Sequence, residues 1–192
     1  TGCSTPLRNL DWKEVRTLKV LNSPEPVAHL DEMLSFVQAT NLPCFIEPKQ
    51  SSEALIAIVI DRVKRFNLLD KVSFLTFSSH RDLLLKVKDF EPKMQTSAII
   101  INPMANFLEL AKIVSAERII IGWSGLNHFR IHNFFVRSLR RKLDELRAHG
   151  IHIEAGFVKT QHDVNWLMRN EIFDLWVDNV PKIRAFVSNI EK

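Results

Sequence analysis

Residues 97–121, SAIIINPMANFLELAKIVSAERIII, carry the pattern on which the fold depends. Two short apolar runs without polar alternation, at 99–101 and 119–121, flank an amphipathic stretch that begins near Asn106. Parallel strands that are covered on both faces have continuous apolar runs of this kind. The segment therefore predicts a strand, a crossover helix and a second parallel strand.

The same alternation continues along the chain. Runs typical of strands cover residues 44–46, 72–77, 97–101, 118–121, 151–155 and 173–177. After the first strand, the periodicity predicts six helices. One follows Ser51 and an N-cap at Ser52, and another follows a cap at Ser78 or Ser79. The other four cover 106–114, 133–149, 162–168 and 181–190. Two further helices are expected before the first strand, at 11–21 and 30–40, with a loop at 22–26 between them.

Six such units admit two architectures in one domain over residues 1–192. One is an open doubly wound sheet, and the other is a (β/α)₈ TIM-barrel type that lacks two strands, since complete barrels need about 250 residues. No glycine-rich phosphate loop follows any strand, which disfavours a nucleotide-binding open sheet.

Composition excludes several classes of protein. The 26 basic and 22 acidic residues give a net charge of +4, far short of a nucleic-acid-binding surface. Two cysteines form no metal ligand set, and no apolar run approaches the roughly 18 residues that span a bilayer. The lack of a signal peptide suggests a cytoplasmic location, although the chain starts without methionine and is expected to be cut from a longer one.

Charged residues follow the first strand, in the sequence Glu47-Pro48-Lys49. Phe45, Glu47 and Lys49 alternate, so they share one face at the carboxyl end of the strand, where α/β folds form their sites. A carboxylate there suits Mg²⁺ or Ca²⁺, and an ammonium group suits a phosphate. The structural alternative is an ion pair at the rim of the sheet.

Six segments in order share features with one enzyme family. They are Leu10-Asp11-Trp12-Lys13-Glu14-Val15-Arg16-Thr17-Leu18, Val27-Ala28-His29-Leu30-Asp31-Glu32-Met33-Leu34, Glu47-Pro48-Lys49, Phe74-Leu75-Thr76-Phe77-Ser78-Ser79-His80-Arg81-Asp82-Leu83-Leu84, residues 150–160, and residues 170–178 with Pro181 after them. They resemble motifs of the glycerophosphodiester phosphodiesterase family, whose third matched element is E-x-K. The resemblance implies a phosphodiesterase barrel in which Glu47 is a metal ligand, with Mg²⁺ or Ca²⁺, and Lys49 contacts the phosphate of a small phosphodiester substrate.

The departures from the family pattern bear on activity. The family's H-R-G, E-N-T, E-x-D and H-D elements lie upstream of everything matched, and none of them precedes Leu10. The catalytic histidines therefore have no counterpart, so no catalytic residue is assigned in this chain. Loss of one general acid or base typically costs about 10²–10⁴-fold in rate.

Four further residues are candidates for the pocket. The family's W-T-V-N falls on Gly156-Phe157-Val158-Lys159, so Gly156 replaces an aromatic wall and leaves a wider or differently lined pocket, while Lys159 is expected at the rim. Trp123 could replace the lost aromatic side chain, with core packing as its alternative. His80 could reach the barrel mouth.

A basic helix contains Arg137, Arg140, Arg141, Lys142 and Arg147 beside Phe134, Phe135 and Leu139. A patch for acidic lipid head groups, and hence peripheral membrane contact, is one interpretation, and a solvated outer helix of the barrel is favoured.

The function expected from the resemblance is metal-dependent hydrolysis of glycerophosphodiesters or related phospholipid-derived diesters, in lipid metabolism, with this chain inactive if it acts alone. The alternatives are a non-catalytic binding or scaffold domain of the same barrel ancestry, and an open α/β domain that binds a small anionic ligand.

Overall fold

Six parallel strands form one sheet. The computed structural model describes residues 2–20, 23–50 and 52–188. The strands are β1 Cys44–Ile46, β2 Val72–Phe77, β3 Gln95–Ile100, β4 Arg118–Ile121, β5 His152–Gly156 and β6 Asp174–Trp176. They pair in chain order from β1 to β6, and every pair is parallel. The six predicted strands are therefore confirmed, three with the predicted ends and three with ends that shift by one or two residues.

Helices precede the sheet, connect its strands and follow the last strand. They are α1 Trp12–Thr17, α2 Leu30–Thr40, α3 Glu53–Arg65, α4 Arg81–Phe90, α5 Phe107–Ile113, α6 Asn127–Val136, α7 Leu139–Ala148, α8 Gln161–Arg169 and α9 Val180–Ser188. Single 3₁₀ turns occur at Leu7–Asn9 and Ser78–His80. No described helix is long and apolar enough to cross a membrane.

The sheet curls into a half-barrel. In a flat sheet the outer strands β1 and β6 would lie about 24 Å apart, five strand spacings of about 4.8 Å. The ring centroids of Phe45 on β1 and Trp176 on β6 are only 4.7 Å apart. Strong curvature is therefore required, and the chain-order pairing shows no reversal of the kind that defines a doubly wound sheet. The predicted partial (β/α)₈ barrel is confirmed, and the open-sheet alternative is wrong.

The two faces of the sheet have different cores. The convex face packs against the helices in one large cluster that includes Phe74, Ile100, Ile119 and Ala155. The concave face holds a smaller cluster of Leu75, Ile99 and Ile120, on which Phe45, Phe77, Trp123 and Trp176 pack. Side chains alternate between these faces along each strand, as the strand period of two requires.

One predicted helix is two helices. The pattern predicted a single helix over 133–149, but α6 ends at Val136 and α7 begins at Leu139. Arg137 has a φ of 53°, and the side-chain oxygen of Asn133 accepts the N–H of Leu139. Seventeen helical residues would extend about 25 Å, longer than the roughly 16 Å of a five-residue strand, so the chain has to turn before it returns along the sheet.

Two other details of the predicted helices are wrong. Ser78 and Ser79 lie inside a 3₁₀ turn and do not cap α4, whose N-cap residue is His80 with no capping hydrogen bond from its side chain. The first helix stops at Thr17 because Lys19 pairs with Pro26 in an antiparallel bridge. Ser52 does cap α3, through the N–H of Leu55. The predicted positions Leu21, Asn22, Ser51 and 189–190, and the chain ends at 1 and 191–192, lie outside the described residues.

Candidate functional site at the carboxyl edge of the sheet

The curled sheet brings the candidate residues to one edge. Glu47 and Lys49 follow β1, His80 ends the turn after β2, Trp123 follows β4, and Gly156 is the last residue of β5. Since all six strands are parallel, each of these residues lies at a carboxyl end. Sites form at this end in barrels of parallel strands.

Glu47 and Lys49 form an ion pair. The Nζ of Lys49 lies 2.6 Å from Oε1 of Glu47, and the side chain of Lys49 is 77% exposed while that of Glu47 is 24% exposed. An exposed pair of this kind contributes about 0–1 kcal/mol to stability. An ammonium group has three N–H donors, so the contact with Glu47 leaves donors for an anion.

Lys49 and His80 line the same cavity. It measures about 290 Å³, and Gln50, Thr76, Ser79 and Asp82 contribute polar groups to its wall. Both charged loops that follow β1 and β2 therefore open onto one space. The geometry places a cation and an imidazole around a volume that holds a small polar ligand.

Aromatic side chains form the adjoining concave surface. The ring of Trp123 lies 4.6 Å from Phe157, 5.3 Å from Trp176 and 6.2 Å from Phe77, centroid to centroid. Gly122, with a φ of +80°, and the hydrogen bond from the N–H of Gly125 to its carbonyl turn the loop that carries Trp123.

Trp176 occupies the space beside Gly156. A Cβ on Gly156 would lie 2.3 Å from the Cβ of Trp176 and 2.9 Å from its backbone oxygen. The neighbouring strand therefore leaves no room for a side chain at position 156. The aromatic surface beside it is formed by Trp176 of β6 and Trp123 of the β4 loop. Sequence reasoning missed Trp176, whose only signal was its place at the end of the sixth apolar run.

A buried carboxylate fixes Trp176. Glu154 is 5% exposed and accepts hydrogen bonds from Nε1 of Trp176 at 2.6 Å and from Nη1 of Arg118 at 3.0 Å. His152 and Asp174 pair beside it at 3.1 Å. Both oxygens of Glu154 thus have partners, and a buried carboxylate is tolerated when it is satisfied in this way.

Lys159 lies away from Lys49 and His80. It lines a different cavity of about 230 Å³, with Asp178 and Lys182 on its wall. Its side chain is exposed, and its backbone N–H donates to Oδ2 of Asp163. The structure therefore does not bring Lys159 into the space that Lys49 and His80 share.

One histidine–aspartate dipeptide occurs in the chain, His162-Asp163, at the start of α8. Asp163 accepts hydrogen bonds from Thr160 and Lys159 and pairs with Arg130 on α6. Burial alone would raise the pKa of Asp163, but these hydrogen bonds outweigh it and lower the pKa below its ordinary value. Asp163 therefore completes the capping box of Thr160 at the start of α8 and links α6 to α8.

The described residues do not form a metal site on their own. No group of three His, Cys, Asp or Glu side chains among residues 2–20, 23–50 and 52–188 is placed to hold an ion. Ca²⁺ takes about 6–8 oxygen ligands, and Mg²⁺ needs near-octahedral geometry. Glu47 supplies one carboxylate, and Lys49 already neutralises it, so further ligands would be needed to hold either ion at this edge.

Comparison with solved structures relates this half-barrel to one group of enzymes. A glycerophosphodiester phosphodiesterase from Parabacteroides distasonis superposes with a TM-score of 0.70 at 11% identity, over 95% of this chain and 72% of the other. One from Agrobacterium tumefaciens gives a TM-score of 0.67 at 12% identity, over 93% and 72%. The fold is that of the glycerophosphodiester phosphodiesterases.

A third structure of this group carries a ligand. The phosphodiesterase from Oleispira antarctica, in complex with the product sn-glycerol-3-phosphate, gives a TM-score of 0.65 at 13% identity and covers 85% of this chain and 62% of its own. No protein-family model and no curated protein matches the sequence. At these identities the likeness to glycerophosphodiester phosphodiesterases establishes the fold.

Proposed function

We propose that this chain belongs to a phosphoric diester hydrolase and that its carboxyl edge binds the phosphate of a glycerophosphodiester. The observation that carries the proposal is the cavity of about 290 Å³ that Lys49 and His80 share at the carboxyl edge of a phosphodiesterase-type half-barrel. A neighbour with the same fold was solved with sn-glycerol-3-phosphate, a small phosphate ester. This ligand suits a cation and polar side chains around a small cavity.

In this proposal the ammonium group of Lys49 donates hydrogen bonds to the phosphate oxygens, and the imidazole of His80 lies beside them. The Glu47 contact uses one of three ammonium donors, so two remain for the ligand. His80 is exposed and is the one histidine on the cavity wall among the described residues. The cavity wall offers the imidazole of His80 and the carboxyl group of Asp82, but the two catalytic histidines that the family resemblance implies have no counterpart. We therefore expect this chain alone to bind the diester and to hydrolyse it slowly or not at all.

Calorimetric titration with sn-glycerol-3-phosphate tests the binding step. Lys49→Met keeps the aliphatic stem and removes the charge, and we expect it to weaken binding at least about ten-fold, because hydrogen bonds to charged groups contribute about 1.5–3 kcal/mol. Lys159→Met is the matched control, since it removes an exposed lysine from the other cavity. Equal affinities for wild type and Lys49→Met would contradict the proposal.

The predicted metal role of Glu47 needs a separate measurement. Without a cation, Glu47→Gln removes a negative charge 2.6 Å from Nζ of Lys49, so we expect tighter phosphate binding. If Glu47 is a metal ligand, added Mg²⁺ or Ca²⁺ increases the affinity of the wild type for sn-glycerol-3-phosphate. The affinity of Glu47→Gln then does not change when the cation is added. An equal response of both proteins to the cation would end the metal role.

Hydrolysis of glycerophosphocholine, followed with and without Mg²⁺ or Ca²⁺, tests the reaction class. Longer forms of the protein, where they exist, belong in the same assay. Cleavage by a longer form that Lys49→Met leaves at the wild-type rate would contradict the role proposed for this edge.

A further inference from the structure

The helix α6 has an exposed apolar surface that the proposed chemistry does not use. Phe134 and Phe135 are 76% and 77% exposed, and Ile131 and Val136 are exposed beside them. Ile131, Phe134 and Phe135, together with Trp166 of α8, border a groove of about 420 Å³. Large exposed apolar patches of this kind mark interaction sites. We call these four α6 residues with Trp166 the α6 patch.

Helix α6 is held in place, so the exposure of the patch belongs to an ordered surface. Phe129, on the side of α6 away from Ile131, Phe134 and Phe135, is buried against Phe107 of α5, with ring centroids 6.2 Å apart. Arg130 pairs with Asp163 at the start of α8, and its guanidinium lies 5.5 Å from the ring centroid of Trp166. The helix therefore presents its apolar face from a fixed base.

The patch lies on the side of the half-barrel that carries the candidate site. Helix α6 follows the β4 loop that places Trp123 at the carboxyl edge, and it contacts the first turn of α8, which follows β5 at the same edge. The return along the sheet is made by α7, which packs against β5. Helix α6 is thus an additional helix at the carboxyl side.

The charge around the patch favours an anionic partner. Residues 118–143 contain six arginines and lysines and no aspartate or glutamate. Five of these cations bind carboxylates or carbonyl oxygens elsewhere in the chain, which leaves Arg137. Within the described residues, Arg137 has no ion-pair partner, and it directly follows the Phe134-Phe135-Val136 run. No acidic side chain lines the groove. Apolar side chains beside uncompensated arginine are the pattern of helices that lie in an anionic membrane interface.

The basic residues of α7 are engaged within the chain. Arg140 pairs with Glu171, Arg141 with Glu145, and Nζ of Lys142 donates to the carbonyl oxygens of Pro103 and Ala105. Burial lowers the pKa of Lys142. Among the described arginines and lysines of α6, α7 and the turn between them, Arg137 is therefore the one without a partner. The solvated outer helix that the sequence favoured corresponds to α7.

We propose that the α6 patch docks this protein on an anionic phospholipid surface. Phe134, Phe135 and Val136 insert at the level of the head groups, and Arg137 contacts the lipid phosphates. The carboxyl edge with Lys49 and His80 then faces the surface from which phospholipid-derived diesters come. Docking needs no bound diester, so it stands or falls independently of the proposed function.

Vesicle flotation tests this docking. The vesicles are phosphatidylcholine alone, and phosphatidylcholine with about one quarter phosphatidylserine. We expect binding to the anionic vesicles, a loss of at least about ten-fold for each Phe→Ser substitution at 134 or 135, and a loss of about five-fold for Arg137→Glu. The matched controls are Phe36→Ser, a 55% exposed phenylalanine on α2, and Lys13→Glu on α1, and neither should change binding.

Three results would overturn the proposal. They are no binding of the wild type to anionic vesicles, equal binding of wild type and the Phe134→Ser/Phe135→Ser double variant, and sedimentation showing a dimer that the double variant dissociates. The last would identify a second copy of the chain as the occupant. Because both phenylalanines are exposed, far-ultraviolet circular dichroism of the double variant should equal that of the wild type.

Discussion

Glu154 of β5 is a buried carboxylate, so its substitution should destabilise the half-barrel. Its two oxygens accept hydrogen bonds from Arg118 on β4 and Trp176 on β6, so it joins three neighbouring strands. Removing one partner of a buried ion pair costs about 3–5 kcal/mol. The Arg118 side chain keeps 27% exposure, so water compensates part of the loss, and we expect Glu154→Ala to lower the free energy of unfolding by about 2–4 kcal/mol.

Urea denaturation followed by tryptophan fluorescence measures this change. Glu154→Gln keeps an acceptor for one partner and removes the charge, so it should lose less, about 1–2 kcal/mol. Glu145→Ala is the control, since Glu145 forms an exposed i,i+4 pair with Arg141 that is worth about 0.5 kcal/mol or less. A Glu154→Ala variant whose stability stays within about 0.5 kcal/mol of the wild type, the size of an exposed pair, would refute the role of Glu154 as the anchor of Arg118 and Trp176.

Two further substitutions test the packing around the site. Gly156→Ala places a Cβ 2.3 Å from the Cβ of Trp176, so we expect a loss of about 1–3 kcal/mol in urea denaturation and altered tryptophan fluorescence; wild-type stability would show that β6 yields without cost. The lowered pKa of Asp163 stabilises the fold above the ordinary carboxyl pKa of about 3.9, and this stabilisation is lost as the pH falls through the folded-state pKa. Asp163→Asn should therefore destabilise the protein at neutral pH and reduce the acid-induced loss of stability, and an unchanged pH profile would contradict this.

Hydrophobic periodicity was sufficient for the strands and for most helices. The runs at 99–101 and 119–121 correspond to β3 and β4, and Ser52 and Asn106 cap α3 and α5 as their side-chain chemistry requires. These features depend on contacts close in sequence or on burial on both faces of a strand. The resemblance to one enzyme family added the curvature of the sheet, which periodicity alone left open.

The break between α6 and α7 depends on contacts that a sequence pattern does not contain. Arg137 adopts a positive φ without glycine, and the turn is completed by the side chain of Asn133. The pattern of 133–149 is compatible with one helix, but a helix of that length would be longer than the strands against which it packs. Local propensity was overridden here by the packing of α7 on β5 and of α6 beside α8.

The sequence predicted the location of the candidate site but did not predict all of its residues. Parallel strands put Glu47, Lys49, His80 and Trp123 at one edge, so their common location follows from the strand pattern. The contact of Trp176 with Gly156, and its hydrogen bond to Glu154, join β5 and β6 through space. Only the register of these two strands determines such contacts.

Chemical-shift mapping with sn-glycerol-3-phosphate tests most directly whether the Lys49–His80 cavity binds phosphate esters. On ¹⁵N-labelled protein, we expect saturable shifts of the backbone amides of Lys49, Gln50 and His80, which line that cavity, and none at Lys159 or Lys182. Shifts centred on Lys159 and Lys182, or no saturable shift at the Lys49–His80 cavity, would contradict the account.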